Sequence, residues 1–408
     1  MHSLAGKPSY PGGHALMDAA ERLTALKDAH LYRQLRVIDS APDHEVLLNG
    51  RPVLLFCSNS YLGLGREPEI LHAAAQALEE WGTGASGSRL VSGTLRAHVE
   101  LEAELARFKG SEAALCFSSG YAANVGTLAT LCCSQDHIFS DERNHASIID
   151  GCRLSRAQVV VYAHADLDDL RAKIHAVQPR SGLIVTDSVF SMDGDLAPLP
   201  ELAELARSHG LTLMVDDAHA TGVLGATGRG SLEHFGLTQT DVPLVMASLS
   251  KAIPCEGGAI CASRDVCDML RHTARSHVFS TAQTPATAVA ACAALRYILH
   301  HPERLVRLRA NTAHLRQSLA AYGVVAPGVT PIVPIPVGDE AMAEEVADRL
   351  LRNGVFAPCI RYPTVARGAA RLRLVVNAAH TLEDIERAAW AVAQSLGTSI
   401  RNTKTRSV

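Results

Sequence analysis

The chain has 408 residues, 47% of them hydrophobic, enough to bury at least one large core and, on length, to hold two or three structural units. Its formal charge of -4 comes from 38 basic and 42 acidic residues spread without long blocks of one sign. That pattern gives no basic footprint for nucleic acid or an anionic membrane, and points to a soluble cytoplasmic protein that handles small molecules.

Residues 1–13 lack a basic segment followed by an apolar core, and no uninterrupted apolar run reaches membrane-spanning length, so neither secretion nor insertion is expected. Residues 18–35 carry apolar and charged side chains at helical spacing. EVLLNGRPVLLFC at 45–57 reads as a hairpin turning at Asn49-Gly50. From 59 to 299 short apolar strands (ALCFSS, HIFSD, VVVYA, GLIVTDS, LTLMVDD, PLVMASLS) alternate with amphipathic helices, which predicts an α/β fold with parallel strands and crossover helices. Beyond Pro302 the order changes to helix, strand VTPIVPIPV, helix EAMAEEVADRLLRNG, strand ARLRLVV and a closing helix over 381–396, with a polar tail after Gly397. The predicted organisation is a lead-in over 1–58, a large domain over 59–299 and a small α+β domain over 300–408.

The ten cysteines contain no C-x-x-C and suggest buried free thiols in a reducing cytosol, with neither a disulfide framework nor a zinc site. Gly82, Gly84 and Gly87 spell G-x-G-x-x-G, but a helical stretch precedes them, so they do not form a dinucleotide fingerprint. GTGASGSRLVSGT is read instead as a flexible loop along which a ligand could approach the main chain.

Three features converge on one chemistry. Ser118-Ser119-Gly120-Tyr121 follows a strand and opens a helix, whose unpaired N–H groups suit a phosphate. LTLMVDDAH ends a strand in Asp216 and Asp217, with His219 just beyond, at the edge where α/β proteins bind ligands. Ser248-Leu249-Ser250-Lys251 ends another apolar run, with apolar neighbours that lower the lysine pKa as a Schiff-base amine requires. An anion seat, an acid for a ring nitrogen and an amine for an aldehyde are what pyridoxal 5'-phosphate (PLP) needs.

The ordered set NSYLGLG, GTGASGSRLVSGT, FSSGYAAN, DERNHASIIDG, DSVFSMDGDLAPL, VDDAHATGVLG and SLSKA resembles the α-oxoamine synthases, most closely the 8-amino-7-oxononanoate synthases of biotin synthesis, from about Leu47 to Ala393. The resemblance implies a fold-type I PLP-dependent transferase, with a large, mostly parallel sheet domain, a smaller carboxy-terminal domain and a homodimer whose sites lie at the interface. It implies that Lys251 binds the cofactor aldehyde, that Asp216 faces the ring nitrogen, and that His219 and Ser191 face the ring 3-oxygen. By the same resemblance His145 stacks on the ring, Ser119, Gly120, Tyr121 and Ser248 hold the phosphate, and Thr281 reaches it from the neighbouring subunit. Asn59 and Arg361 are implied at the substrate, Arg361 holding the amino-acid carboxylate. Arg371 and Arg373 alternate with leucines and read as exposed strand residues.

The implied reaction joins a small amino acid, L-alanine, to a pimeloyl thioester on coenzyme A or acyl carrier protein, with loss of carbon dioxide. The sequence departs from the resemblance after the lysine. Pro254-Cys255-Glu256 replaces a glycine-bearing turn, which makes another acyl donor or amino acid the alternative reading.

Overall fold

The computed structural model describes residues 19–397. The readings for residues 1–13, for residue 18 and for the tail after Gly397 lie outside the described residues. Helix α1 (Ala19–Asp28) is shorter than its periodicity predicts. It buries no side chain, and His30 turns the chain with φ of 54°. The following residues lie extended along the helix Glu340–Arg352, where His30 meets Glu344 and Arg36 meets Asp348 at 3.3 Å each.

The hairpin forms as predicted, from β1 (Glu45–Leu48) and β2 (Arg51–Leu55), with Asn49 and Gly50 both at positive φ, as a two-residue primed turn requires. After it come α2 (Pro68–Trp81) and α3 (Arg96–Lys109). In the loop between them, a Cβ on Gly93 would lie 2.1 Å from the Gly87 carbonyl oxygen. These glycines let the loop pack on itself, and Ala282 N–H bonds to the Gly87 carbonyl.

The central sheet has seven strands: β3 (Ala113–Phe117), β4 (His137–Asp141), β5 (Gln158–Tyr162), β6 (Gly182–Asp187), β7 (Thr212–Asp216), β8 (Leu244–Ser250) and β9 (Pro254–Ala262), in the order β3-β9-β8-β7-β6-β4-β5. All pairs are parallel except those made by β9, which runs back between β8 and β3. Alternation along each strand splits the core in two. Met214 packs in one cluster with Leu128 and Ile148, while Leu213 and Val215 pack in the other with Leu101 and Leu202. Both faces are covered, which is why these strands read as continuous apolar runs.

Strand β9 is an addition to the strands read from sequence. Its first residues, the departing Pro254-Cys255-Glu256, leave Lys251 on a short bend and enter an antiparallel partner of β8. The carboxy-terminal strands β10 (Ile332–Gly338), β11 (Val355–Phe356), β12 (Cys359–Ile360) and β13 (Ala370–Val375) form a second sheet in the order β10-β13-β12, while β11 joins the amino-terminal hairpin through β2.

Among the described residues no helix is long and apolar enough to cross a membrane. All ten cysteines are free thiols, six of them buried.

Asp217 closes a buried ion pair at the end of β7. Lys109 Nζ lies 2.5 Å from its Oδ2, 3.0 Å from Thr221 Oγ1 and 2.7 Å from the Arg229 carbonyl, and the two charged side chains are 4% and 0% exposed. Lys109→Met leaves that carboxylate buried without its cation, so we expect a loss of about 3–5 kcal/mol, read as a lower urea midpoint at unchanged slope.

Candidate active site

Parallel strands share one carboxyl edge, so the ends of β6, β7 and β8 bring Asp187, Asp216 and Lys251 to a common place. There Ser119, Gly120, Tyr121, His145, Asp216, His219, Ser248 and Lys251 line one cavity of about 160 Å³.

One wall of the cavity is an anion seat. Helix α4 (Gly120–Leu131) starts directly after β3, and its N-cap Ser119 accepts from Ala122 N–H at 3.0 Å. The first N–H groups of the helix, at Gly120 and Tyr121, have no intrahelical partner and stand at the cavity with the positive end of the dipole. Gly258 on β9 makes this possible: a Cβ there would lie 2.5 Å from Gly120 Cα. Ser248 and Ser250 share a hydrogen bond of 3.0 Å beside it. The Tyr121 side chain points away and donates to Asp150 Oδ2 at 2.5 Å.

The opposite wall carries buried charge. Asp216 is 2% exposed and accepts from Asn124 Nδ2 at 2.7 Å and from Ala218 N–H at 3.0 Å, yet it stands in no ion pair among the described residues. Burial pushes its carboxyl above the ordinary range, against the pull of nearby Lys251. Asp187 is raised further, by burial and by the charge of Asp216, although it accepts from His145 N–H at 2.7 Å. Burial lowers the Lys251 amine, with Asp216 and Asp187 opposing that shift and Arg373 adding to it. A buried amine poised toward its neutral form beside a carboxylate lacking a cation is suited to carbonyl chemistry.

Two histidines complete the cavity. His145 caps helix α5 (Ala146–Ser155), and its Nδ1 lies 2.7 Å from Ser147 Oγ. Burial lowers its pKa, so the ring is neutral near pH 7 and free to lie on an apolar face. His219 is held well below its ordinary value by burial, then by Lys251 and Arg373. Its Nδ1 lies 2.6 Å from the buried Tyr61 hydroxyl. A neutral ring accepting from Tyr61 at Nδ1 carries its proton on Nε2.

Other expected residues lie outside this cavity. Ser191 sits in the turn after β6, where its carbonyl accepts from Arg373 Nε at 2.5 Å. Asn59 Oδ1 accepts from Arg373 Nη2 at 3.1 Å. Thr281 is exposed, bridged to Ser88. Arg361 is 6% exposed, but it lines a separate, larger cavity of about 510 Å³ between residues 27–36 and the helix Glu340–Arg352. There it donates to the Tyr32 carbonyl at 2.6 Å and pairs with Glu344 at 3.2 Å.

The exposed reading of Arg371 and Arg373 is corrected. Arg373 is 7% exposed and Arg371 pairs with Asp193. The leucines of β13 pack into the core, so the alternate face carries both arginines toward the turn after β6. Arg373, not Arg361, is the arginine whose charge reaches Lys251 and His219.

Tyr61, Asn124 and Asp187 are therefore the groups around the site that the sequence reading passed over, and Arg373 is the one it assigned to the surface. Each had a signal. Asn124 follows Gly120 by one helical turn, Asp187 ends β6 as Asp216 ends β7, and Tyr61 stands inside NSYLGLG. Among the described residues no group of three His, Cys, Asp or Glu side chains could hold a metal ion.

The residues fit PLP: an anion seat at a helix start, the buried Asp216 carboxylate for a protonated ring nitrogen, an unpartnered Asn124 Oδ1 beside it, and a buried amine. Fold and site together define a fold-type I PLP-dependent transferase. Residues 51–392 match the model for aminotransferase class I and II, and the chain belongs to that family.

Within it, the chain is 58% identical over 381 residues to a Desulfovibrio desulfuricans protein provisionally named 8-amino-7-oxononanoate synthase, covering 93% of this chain and 99% of that one. It is 45% identical over 377 residues to the 8-amino-7-oxononanoate synthase of Symbiobacterium thermophilum, covering 92% and 96%. A serine palmitoyltransferase solved with PLP superposes with a TM-score of 0.89 at 28% identity, covering 94% and 98%. The protein is a PLP-dependent enzyme of acyltransferase type, similar to the 8-amino-7-oxononanoate synthases.

Proposed function

We propose that the enzyme condenses L-alanine with a pimeloyl thioester, on coenzyme A or acyl carrier protein, releasing the thiol and carbon dioxide and giving 8-amino-7-oxononanoate for biotin synthesis. The observation that carries this reading is the name shared by relatives that align over nine-tenths of the chain. The site supplies the chemistry such a condensation needs. A cytoplasmic location and a homodimer belong to the same reading. Thr281 stands exposed beside the exposed apolar side chains Leu90, Val91 and Phe279, a surface suited to a second copy that would offer Thr281 to its neighbour's phosphate.

PLP, when bound, supplies an electrophilic carbon for the amine and a ring that accepts electrons from the substrate α-carbon. Lys251 would hold it covalently through its neutral amine, with the N–H groups of Gly120 and Tyr121 on the phosphate and Ser119 and Ser248 beside them. Asp216, held by Asn124 and the Ala218 N–H, would keep the ring nitrogen protonated. His219 would donate from Nε2 to the ring 3-oxygen, its tautomer set by Tyr61, and Ser191 lies nearby in the turn after β6. His145 would cover one ring face.

When the amino acid takes its place, Lys251 is free to accept the α-proton as general base. Arg373, held by the Ser191 carbonyl and Asn59, would bind the amino-acid carboxylate in this reading, the role that the sequence resemblance gave to Arg361; its electrostatic reach to Lys251 and His219 supports this. Arg373→Lys keeps the charge but loses the two-pronged donor, so KM for alanine should rise roughly 10–100-fold, the equivalent of one charge-assisted hydrogen bond. Steady-state kinetics at saturating thioester measure this.

Another α-oxoamine synthase activity, with a different acyl donor or with glycine or serine, is the second reading. It is favoured by Pro254-Cys255-Glu256 beside the lysine and by the likeness to a serine palmitoyltransferase. Thiol release across pimeloyl, acetyl and palmitoyl thioesters, each with alanine, glycine and serine, decides between the two. Fastest turnover with pimeloyl donor and alanine supports the first reading, and any other optimum replaces it.

A further inference from the structure

His164 lies just past β5, with a carboxylate on each ring nitrogen. Nδ1 is 3.1 Å from Asp141 Oδ1 at the end of β4, and Nε2 is 2.6 Å from Asp195 Oδ2 in the turn after β6. A neutral imidazole carries one N–H, so two carboxylate partners require the doubly protonated ring. The ring is 12% exposed and stands edge-on to Phe190 at 4.3 Å. Burial works against its charge, but the two carboxylates outweigh it and raise its pKa to about 9.

The segment that His164 grips is the one that aims Arg373. Residues 188–197 form a turn closed by the Val189–Leu196 bridge. The Ser191 carbonyl in it receives Arg373 Nε, Asp193 pairs with Arg371 and with Arg143 at 3.1 Å, and the Gly194 carbonyl accepts from Thr330 at 2.7 Å. Asp195 Oδ1 is buried without a partner, which leaves His164 as the side chain that ties Asp195 down.

We propose that His164, as an imidazolium bridging Asp141 and Asp195, is a positioning residue that fixes the turn 188–197 and through it the Arg373 guanidinium beside the cavity. Its effect on turnover rests on the reading of Arg373 as the carboxylate-holding group. The charged groups facing it are Asp141 at the end of β4 and Asp195 from the gripped segment; Arg143 acts on Asp195 and pairs with Asp193, which also meets Arg371 from β13, and buried Asp187 stands within electrostatic reach of Asp141. Because the folded pKa lies above the ordinary histidine value of about 6.5, the clamp is complete below that pH and is lost as pH rises through about 9.

The test uses holoenzyme carrying His164→Gln, His164→Arg or Arg373→Lys. His164→Gln should raise KM for alanine about tenfold, leave kcat within about twofold, and speed amide exchange in 188–197. His164→Arg, which can bridge two carboxylates at any working pH, should restore KM and exchange protection. The wild-type KM divided by that of His164→Arg, a ratio in which substrate titration cancels, should climb through about pH 9. Unchanged exchange in His164→Gln, or a ratio flat with pH, would overturn the clamp. Faster exchange with no change in KM, together with an Arg373→Lys variant of unaltered KM, would overturn the Arg373 reading alone.

Discussion

Lys251→Ala is expected to abolish turnover, with a loss of at least about a thousandfold, since it removes both the covalent anchor and the general base. Borohydride reduction followed by mass spectrometry should attach the cofactor to Lys251 in the parent enzyme and nowhere in the variant. Lys251→Arg separates two explanations. Arginine restores a cation opposite Asp216 and Asp187 but stays protonated and cannot act as a nucleophile. If the amine's chemistry matters, arginine fails as alanine does. Recovery of turnover in the arginine variant would reduce Lys251 to a counter-ion, against the lowered pKa that burial gives it.

Asp216→Asn should cost roughly a hundredfold to a thousandfold in kcat, the size associated with removing one preorganised electrostatic group from an enclosed site. The near-isosteric amide keeps a carbonyl oxygen for Asn124 or the Ala218 N–H, so the fold should survive with an unchanged unfolding midpoint. Asp217→Asn is the matched control. Its neighbour's side chain faces the cavity, whereas its own faces Lys109 and Ser188, so that variant should lose stability and keep a nearly normal turnover per folded molecule. Thermal unfolding and kcat measured on both variants give opposite patterns if the two adjacent carboxylates divide the work in this way. Equal losses of kcat would refute the division.

That division shows how far the sequence could be read. Asp216 was legible because a strand-end acid in an α/β pattern has one obvious place to be. The role of Asp217 was not, since Lys109 lies at the end of α3, far away in the chain, and only the packing of α3 on the sheet brings them together. The hairpin at Asn49-Gly50 and the apolar strands from β3 to β8 were legible for local reasons, namely turn chemistry and burial on both faces. Helix α1 was over-extended because periodicity cannot see that residues 29–36 make their contacts with the helix Glu340–Arg352. Strand β9 was hidden by a proline and two glycines, which argue against a strand until both neighbours are known. Arg373 was misplaced because alternation tells which residues share a face and leaves open which face is buried; β10 and β12 on either side of β13, and the turn after β6 beneath it, settle that.

The antiparallel course of β9 bears on how the segment after Lys251 can vary. Pro254, Cys255 and Glu256 connect the lysine bend to the strand that floors the anion seat, and between them and that seat stand Gly257 and Gly258. At Gly257 a Cβ would meet Gln283 at 2.0 Å, and at Gly258 it would meet the first residue of α4. Neither position has room for a side chain, so the close approach of β9 to the helix start depends on both glycines. A side chain at Gly258 is therefore expected to cost the phosphate its seat, whereas 254–256 stand further back along β9, beside the lysine bend.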